Sequence, residues 1–192
     1  MDLRQTARFK LRDATAQWHQ RVDTVFSIAN LADRAEYGQF LCAQAAALLP
    51  VERALDAGGM EEVIADWRVR RRAHLICEDL AALDLEMPLL EPDLILTSVA
   101  AMLGATYVLE GSRLGGTLLR RSVPASFPTA FLSNGGGTTT AWRDLIALLD
   151  ARLAPGNELN AAIAAACDTF ALFERSGQRL LSSQPLSVRT RE

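Results

Sequence analysis

Reactive side chains are scarce in this 192-residue chain, which holds two histidines (His19 and His74), three cysteines and a single lysine, Lys10. Two histidines and no Glu-x-x-His are too little for a carboxylate-bridged di-iron centre. Cys42, Cys77 and Cys167 are odd in number, widely separated and form no Cys-x-x-Cys. This argues against structural zinc and against a cofactor attached through paired thiols. All three lie in apolar helical contexts and read as reduced core residues, which implies a cytoplasmic setting. No apolar run is long enough to span a bilayer, and Met1–Thr6 lacks the apolar core of a signal peptide. With a net charge of −3 and a pI near 5.5, a general nucleic-acid binder is not expected. No G-x-G-x-x-G follows a strand pattern, and neither a P-loop nor an internal repeat occurs.

What is present is apolar and helical. Hydrophobic residues make up 49% of the chain, with alanine and leucine prominent and few β-branched runs, the composition of a single all-α domain over residues 1–192. Periodicity predicts a first helix from Leu3 to Asp23, its inner side marked by Leu11, Thr15, Trp18, Val22 and Phe26. A second helix, capped by Asn30 or Asp33, runs through Tyr37, Phe40 and Leu41 to Leu55, and Gly58-Gly59 ends it. A third is expected over Met60–Leu83, then a loop around Met87-Pro88 and Glu91-Pro92. A long helix follows over Asp93–Arg121. Pro124 and Pro128 break the chain, and Ser133-Asn134-Gly135-Gly136-Gly137 reads as a flexible turn. Thr138 to Thr140 cap a helix to Leu153, Pro155-Gly156-Asn157 opens the last helix to Leu181, and residues 183–192 form a frayed tail.

The long helix carries Gly111, Gly115 and Gly116. Each glycine costs about 1 kcal/mol against alanine in a helix interior, roughly 3 kcal/mol together. Gly111 and Gly115 share a face, and Ser112 and Gly116 cluster on the same side. Spacing alone favours close helix–helix packing; a flat ligand lying on bare backbone is the alternative. On the first helix, Leu11, Thr15, Val22 and Phe26 share a side with His19, which puts the imidazole on an apolar face. Taken alone, such a histidine is a core residue. Arg12 lies two turns, about 10 Å, before His19 on that face.

Two segments carry a resemblance: Leu11-Arg12-Asp13-Ala14-Thr15-Ala16-Gln17-Trp18-His19, and Tyr107-Val108-Leu109-Glu110-Gly111-Ser112-Arg113-Leu114-Gly115-Gly116. Together they resemble the biliverdin-producing haem oxygenases, in the form carried by bacterial members. Phe170-Ala171-Leu172-Phe173-Glu174-Arg175 is weakly similar to the family's last helix. The resemblance implies a helical bundle with haem between a proximal and a distal helix. It implies oxidative cleavage of haem by O2, with electrons from a separate donor protein, to biliverdin, carbon monoxide and ferrous iron. Haem is then both substrate and cofactor. A haem-binding or haem-transfer protein without turnover is the alternative on the same fold.

Carried over residue by residue, His19 becomes the proximal iron ligand, with Asp23 one turn on at its other ring nitrogen. Gly111, Gly115 and Gly116 approach the ring from the distal side and leave room for dioxygen to bend over it. Ser112 stands where animal members place an aspartate; serine can hold a water but supplies no carboxylate, so proton delivery relies on waters held by Ser112 or backbone groups. Arg12 resembles a propionate clamp, with Lys10 as a weaker second, and Phe170 and Phe173 line the pocket or pack in the core. No C-terminal membrane anchor of the kind that animal members carry is expected. The run Arg70-Arg71-Arg72 reads as a solvated helix face, or as a docking patch for an acidic electron donor. His74 reads as structural, and Glu110 and Glu174 as surface or hydrogen-bonding residues.

Overall fold

The computed structural model describes residues 6–133 and 138–182, except the side chains of Thr138 and Thr139. Its described residues form helices and connecting segments with no strand: α1 (Ala7–Phe26), α2 (Arg34–Ala57), α3 (Met60–Val63), α4 (Trp67–Arg70), α5 (Ala73–Ala82), α6 (Val99–Leu119), α7 (Ala130–Ser133), α8 (Thr138–Arg152) and α9 (Asn157–Leu181). The all-α expectation holds. Any structure before Thr6, the glycine turn at 134–137 and the tail at 183–192 lie outside the described residues.

Local chemistry sets most boundaries. Thr6 accepts from the Phe9 N–H and starts α1, which continues to Phe26, one turn beyond the expected end. Of the two candidate caps for α2, Asp33 is used: its carboxylate accepts from the Ala35 and Glu36 N–H groups. Ser98 caps α6, which starts at Val99, six residues after the expected start, because residues 85–97 are held as a non-helical strap. Within it Glu91 donates its N–H to the Ala46 carbonyl at 2.9 Å, and its carboxylate pairs with Arg175 and Arg179 of α9. Asp93 pairs with Arg53 instead of starting a helix.

The expected helix over Met60–Leu83 is broken into three. Gly59, at φ +80°, starts α3 in the left-handed region, and the chain turns again at Arg71 and Arg72. Here Glu52 of α2, itself buried, accepts from the backbone N–H groups of Arg72 and Ala73 at 2.7 and 2.9 Å and so caps α5 from a neighbouring helix. Burial raises the Glu52 carboxyl pKa, and these two N–H groups oppose the shift.

α9 is the central pillar, with α1, α2 and α6 all packed on it. Its closest crossing is with α6, where a Cβ built on Gly104 would stand 2.0 Å from the Ala162 carbonyl oxygen. Gly104 therefore does the helix-packing work that spacing had offered to the three later glycines. A second close crossing, with α1, sets Gly177 against Val25 and Phe26. Thr15, Thr106 and Thr169 are buried but satisfied, each hydroxyl donating to the carbonyl four residues back. Cys42, Cys77 and Cys167 are all free; Cys42 is in the core, where burial pushes its thiol up to about 11.

Candidate functional site

Because α1 and α6 are both anchored on α9 without closing on each other, a cavity of about 930 Å³ remains between them. That volume is in the ~300–1,000 Å³ range of sites that hold small molecules and cofactors. α1 supplies Arg12, Thr15 and His19 to one wall, and α6 supplies Tyr107, Gly111, Ser112, Gly115 and Gly116 to the other. Phe170 of α9, Trp142 of α8 and Phe131 and Leu132 of α7 close the sides. The two segments singled out in the sequence thus face one space.

His19 is not on a buried face. Its side chain is 63% exposed, because at this level α9 offers only the Phe170 ring, edge-on at 5.8 Å, and the rest opens to the cavity. The Asp23 carboxylate accepts from Nδ1 at 2.9 Å. This orients the ring and leaves Nε2 as the nitrogen available for a ligand bond.

The three glycines are bare towards the cavity. A Cβ at Gly115 would meet no atom within 4 Å, one at Gly111 would touch only the edge of Trp142, and one at Gly116 would lie 3.5 Å from Leu132. No neighbouring helix uses their missing side chains.

Ser112 has a partner that local pattern did not reveal. Its hydroxyl donates to the Leu109 carbonyl at 2.8 Å and accepts from the Arg72 guanidinium at 2.8 Å, leaving one lone pair for water. Arg72 is only 3% exposed; it also donates to Leu109 and lies over the Phe131 ring at 4.9 Å. Burial, and then the charge of Arg113, lower its pKa to about 10, still cationic at neutral pH. The solvated-face expectation for Arg70–Arg72 is therefore corrected. Arg70 is also buried, donating to Asp66 and to the Ala141 carbonyl, and the partly exposed Arg71 pairs with Asp56. Glu110 is likewise internal, paired with Arg113 at 3.2 Å, and buried Glu174 pairs with Arg21.

The other end of the cavity is basic and phenolic. Tyr107 lies against Trp142 with the rings tilted by 35°, is hydrogen-bonded with Thr15 and feels the charges of Arg8 and Arg12; burial nonetheless raises its pKa. Arg12 lines the cavity with its guanidinium over the Phe9 ring at 4.3 Å, whereas Lys10 does not line it. Phe170 lines it too, while Phe173 is packed in the core. Tyr107 was recoverable from sequence, since it precedes Gly111 by one turn on the same face. Arg72 carried no such signal: three consecutive arginines have the pattern of a solvated face, and the break between α4 and α5 is what turns Arg72 inward beside the already buried Arg70. Among the described residues, no three His, Cys, Asp or Glu side chains gather to hold a metal ion, and no helix is long and apolar enough to cross a membrane.

Fold and site define an all-α protein with a wide slot between two helices, one presenting a histidine and the other bare backbone. The same architecture occurs in the haem oxygenase of Neisseria meningitidis, known from crystal structures with NO and CO bound that bear on oxygen activation. That structure superposes with a TM-score of 0.80 over 93% of each chain, at 21% sequence identity. The chain thus has the haem oxygenase fold. No protein-family model and no curated protein sequence matches it.

Proposed function

We propose that this protein is a haem oxygenase, cleaving haem with O2 and electrons from a separate redox protein to biliverdin, carbon monoxide and ferrous iron in the cytoplasm. The observation that carries the reading is His19, oriented by Asp23, facing glycines whose bare side opens onto the cavity rather than onto another helix. A carrier needs the histidine; the unfilled strip is what a reaction over the ring face requires. The likeness to the Neisseria enzyme supports the same reading.

The donor set fits haem. A neutral imidazole with its Nδ1 engaged would be a good ligand for haem iron, and the glycine side would allow the close approach a flat ring demands. When bound, haem supplies the redox-active iron and is itself the ring that is cut. Arg12 and Tyr107, at one end of the cavity, would hold the ring carboxylates, Arg12 by charge-assisted hydrogen bonds. Phe170, Phe131 and Trp142 exclude bulk water from the rest. Arg72 fixes the Ser112 hydroxyl and leaves it one lone pair for a water, so a guanidinium would anchor the proton-delivering water where a carboxylate is absent.

The test is aerobic turnover of the purified protein loaded with one haem and given a reductant. Haem absorbance should fall as biliverdin appears, with catalase making no difference. A haem spectrum that persists, or bleaching that catalase abolishes, identifies a carrier instead.

Arg72→Leu tests the water anchor. The variant keeps the Glu52 cap on α5, which uses only the backbone. Turnover should fall about 10²-fold, the usual loss for one preorganised donor, while haem affinity stays near that of the wild type. Equal losses in both would make Arg72 a binding residue only.

A further inference from the structure

The cavity wall formed by α7 is clamped from behind by a carboxylate that never reaches the cavity. Asp79 of α5, 2% exposed, accepts from the Ala130 N–H with one oxygen and from the Phe131 N–H with the other, both at 2.9 Å. The approach to α7 is tied down as well. Tyr37 of α2 donates to the Pro128 carbonyl at 2.8 Å, and its ring stacks on Phe127 at 5.8 Å. The consequence lies one side chain further on. Phe131 lines the cavity and lies against the Arg72 guanidinium, and Leu132 lines it beside Gly116. Gly116 is about 13 Å along α6 from Tyr107 at 1.5 Å per residue, so this wall bounds the end remote from Arg12 and Tyr107.

We propose that Asp79 is a positioning residue: by holding the first two N–H groups of α7 it seats Phe131 and Leu132 as a fixed rim, and that rim selects between the two faces-exchanged seatings of an asymmetric ring. The proposal rests on haem being the ligand. A haem ring held by its propionates at the Arg12 end can still turn over, which exchanges methyl and vinyl groups at the opposite edge. Carboxylate contacts barely discriminate these seatings, because the propionates occupy equivalent places in both. A rigid apolar wall does discriminate, because vinyl and methyl groups differ in volume and close-packed surfaces respond to a single methylene. Asp79→Asn keeps one acceptor but sets an amide NH2 against a backbone N–H, which loosens α7 while leaving His19 and the glycines untouched.

The experiment uses the full chain with haem and cyanide, and reads the proportion of the two seatings from the shifted haem methyl resonances in the proton NMR spectrum. The wild type should favour one seating. Asp79→Asn should raise the minor seating about threefold, the scale of one lost hydrogen bond, with an unchanged axial-ligand absorption spectrum. Phe131→Leu, which alters the rim directly, should do the same and decides the matter if Asp79→Asn does not fold. Leu80→Ala is the structural control: it hollows the core beside Asp79 without touching α7's N–H groups and should leave the proportion unchanged. An unaltered proportion in Asp79→Asn and Phe131→Leu, or an equal change in Leu80→Ala, overturns the positioning role. A wild-type chain that takes up no haem overturns the haem reading itself.

Discussion

Gly115→Leu should fold normally yet lose haem affinity about tenfold or more, while Gly104→Ala should fail at the level of the fold. The two glycines lie on one helix and look alike in sequence, but their surroundings are opposite. At Gly115 an added Cβ meets nothing within 4 Å. Gly115→Ala should therefore stabilise the ligand-free protein, by up to about 1 kcal/mol of helix propensity. The leucine extends into space the ring needs, and overpacking of this kind costs about 1–3 kcal/mol. At Gly104 the Cβ would fall 2.0 Å from the Ala162 oxygen and 2.7 Å from its carbonyl carbon. Backbone cannot yield as a side-chain tip can, so α6 and α9 must separate, at a cost of about 3 kcal/mol or more. Thermal denaturation without ligand and haem titration of each variant separate the effects. Normal haem binding by Gly115→Leu would remove the glycine strip from the site.

Replacing His19 with alanine should abolish the axial-ligand absorption spectrum, and added imidazole should restore it. Rescue is expected because the 63% exposed side chain stands at an opening that a small base can enter. Asp23→Asn should have a smaller effect of the same kind, about tenfold in affinity, by removing the carboxylate that orients the ring and makes it more basic. An unchanged spectrum in His19→Ala would place the iron ligand elsewhere; His74, the other histidine, is exposed on α5 and does not line the cavity.

The sequence was most legible where the physics is local. Helical periodicity and the Asp33 cap depend on residues two to four apart, and α2 and α9 stand near their expected places. Expectations failed where a distant partner intervened. Arg72 turns inward because Glu52, twenty residues earlier, captures its backbone N–H. The strap ahead of α6 stays non-helical because Arg175 and Arg179, more than eighty residues later, hold Glu91. Phe170 and Phe173 have equivalent apolar patterns and are both buried, and only the packing of α9 sets Phe170, but not Phe173, against His19 and the cavity.

By itself, then, the sequence determined an all-helical chain, a histidine two turns after Arg12, and a helix weakened by glycines around Ser112. Each follows from intervals within a helix, where neighbours are dictated by 3.6 residues per turn. Only the tertiary structure decided that Gly104 carries the packing and leaves Gly115 bare, that His19 opens onto a cavity, and that Ser112 is held by a buried arginine. Those outcomes depend on where helices cross, and a crossing is a property of two surfaces far apart in the chain.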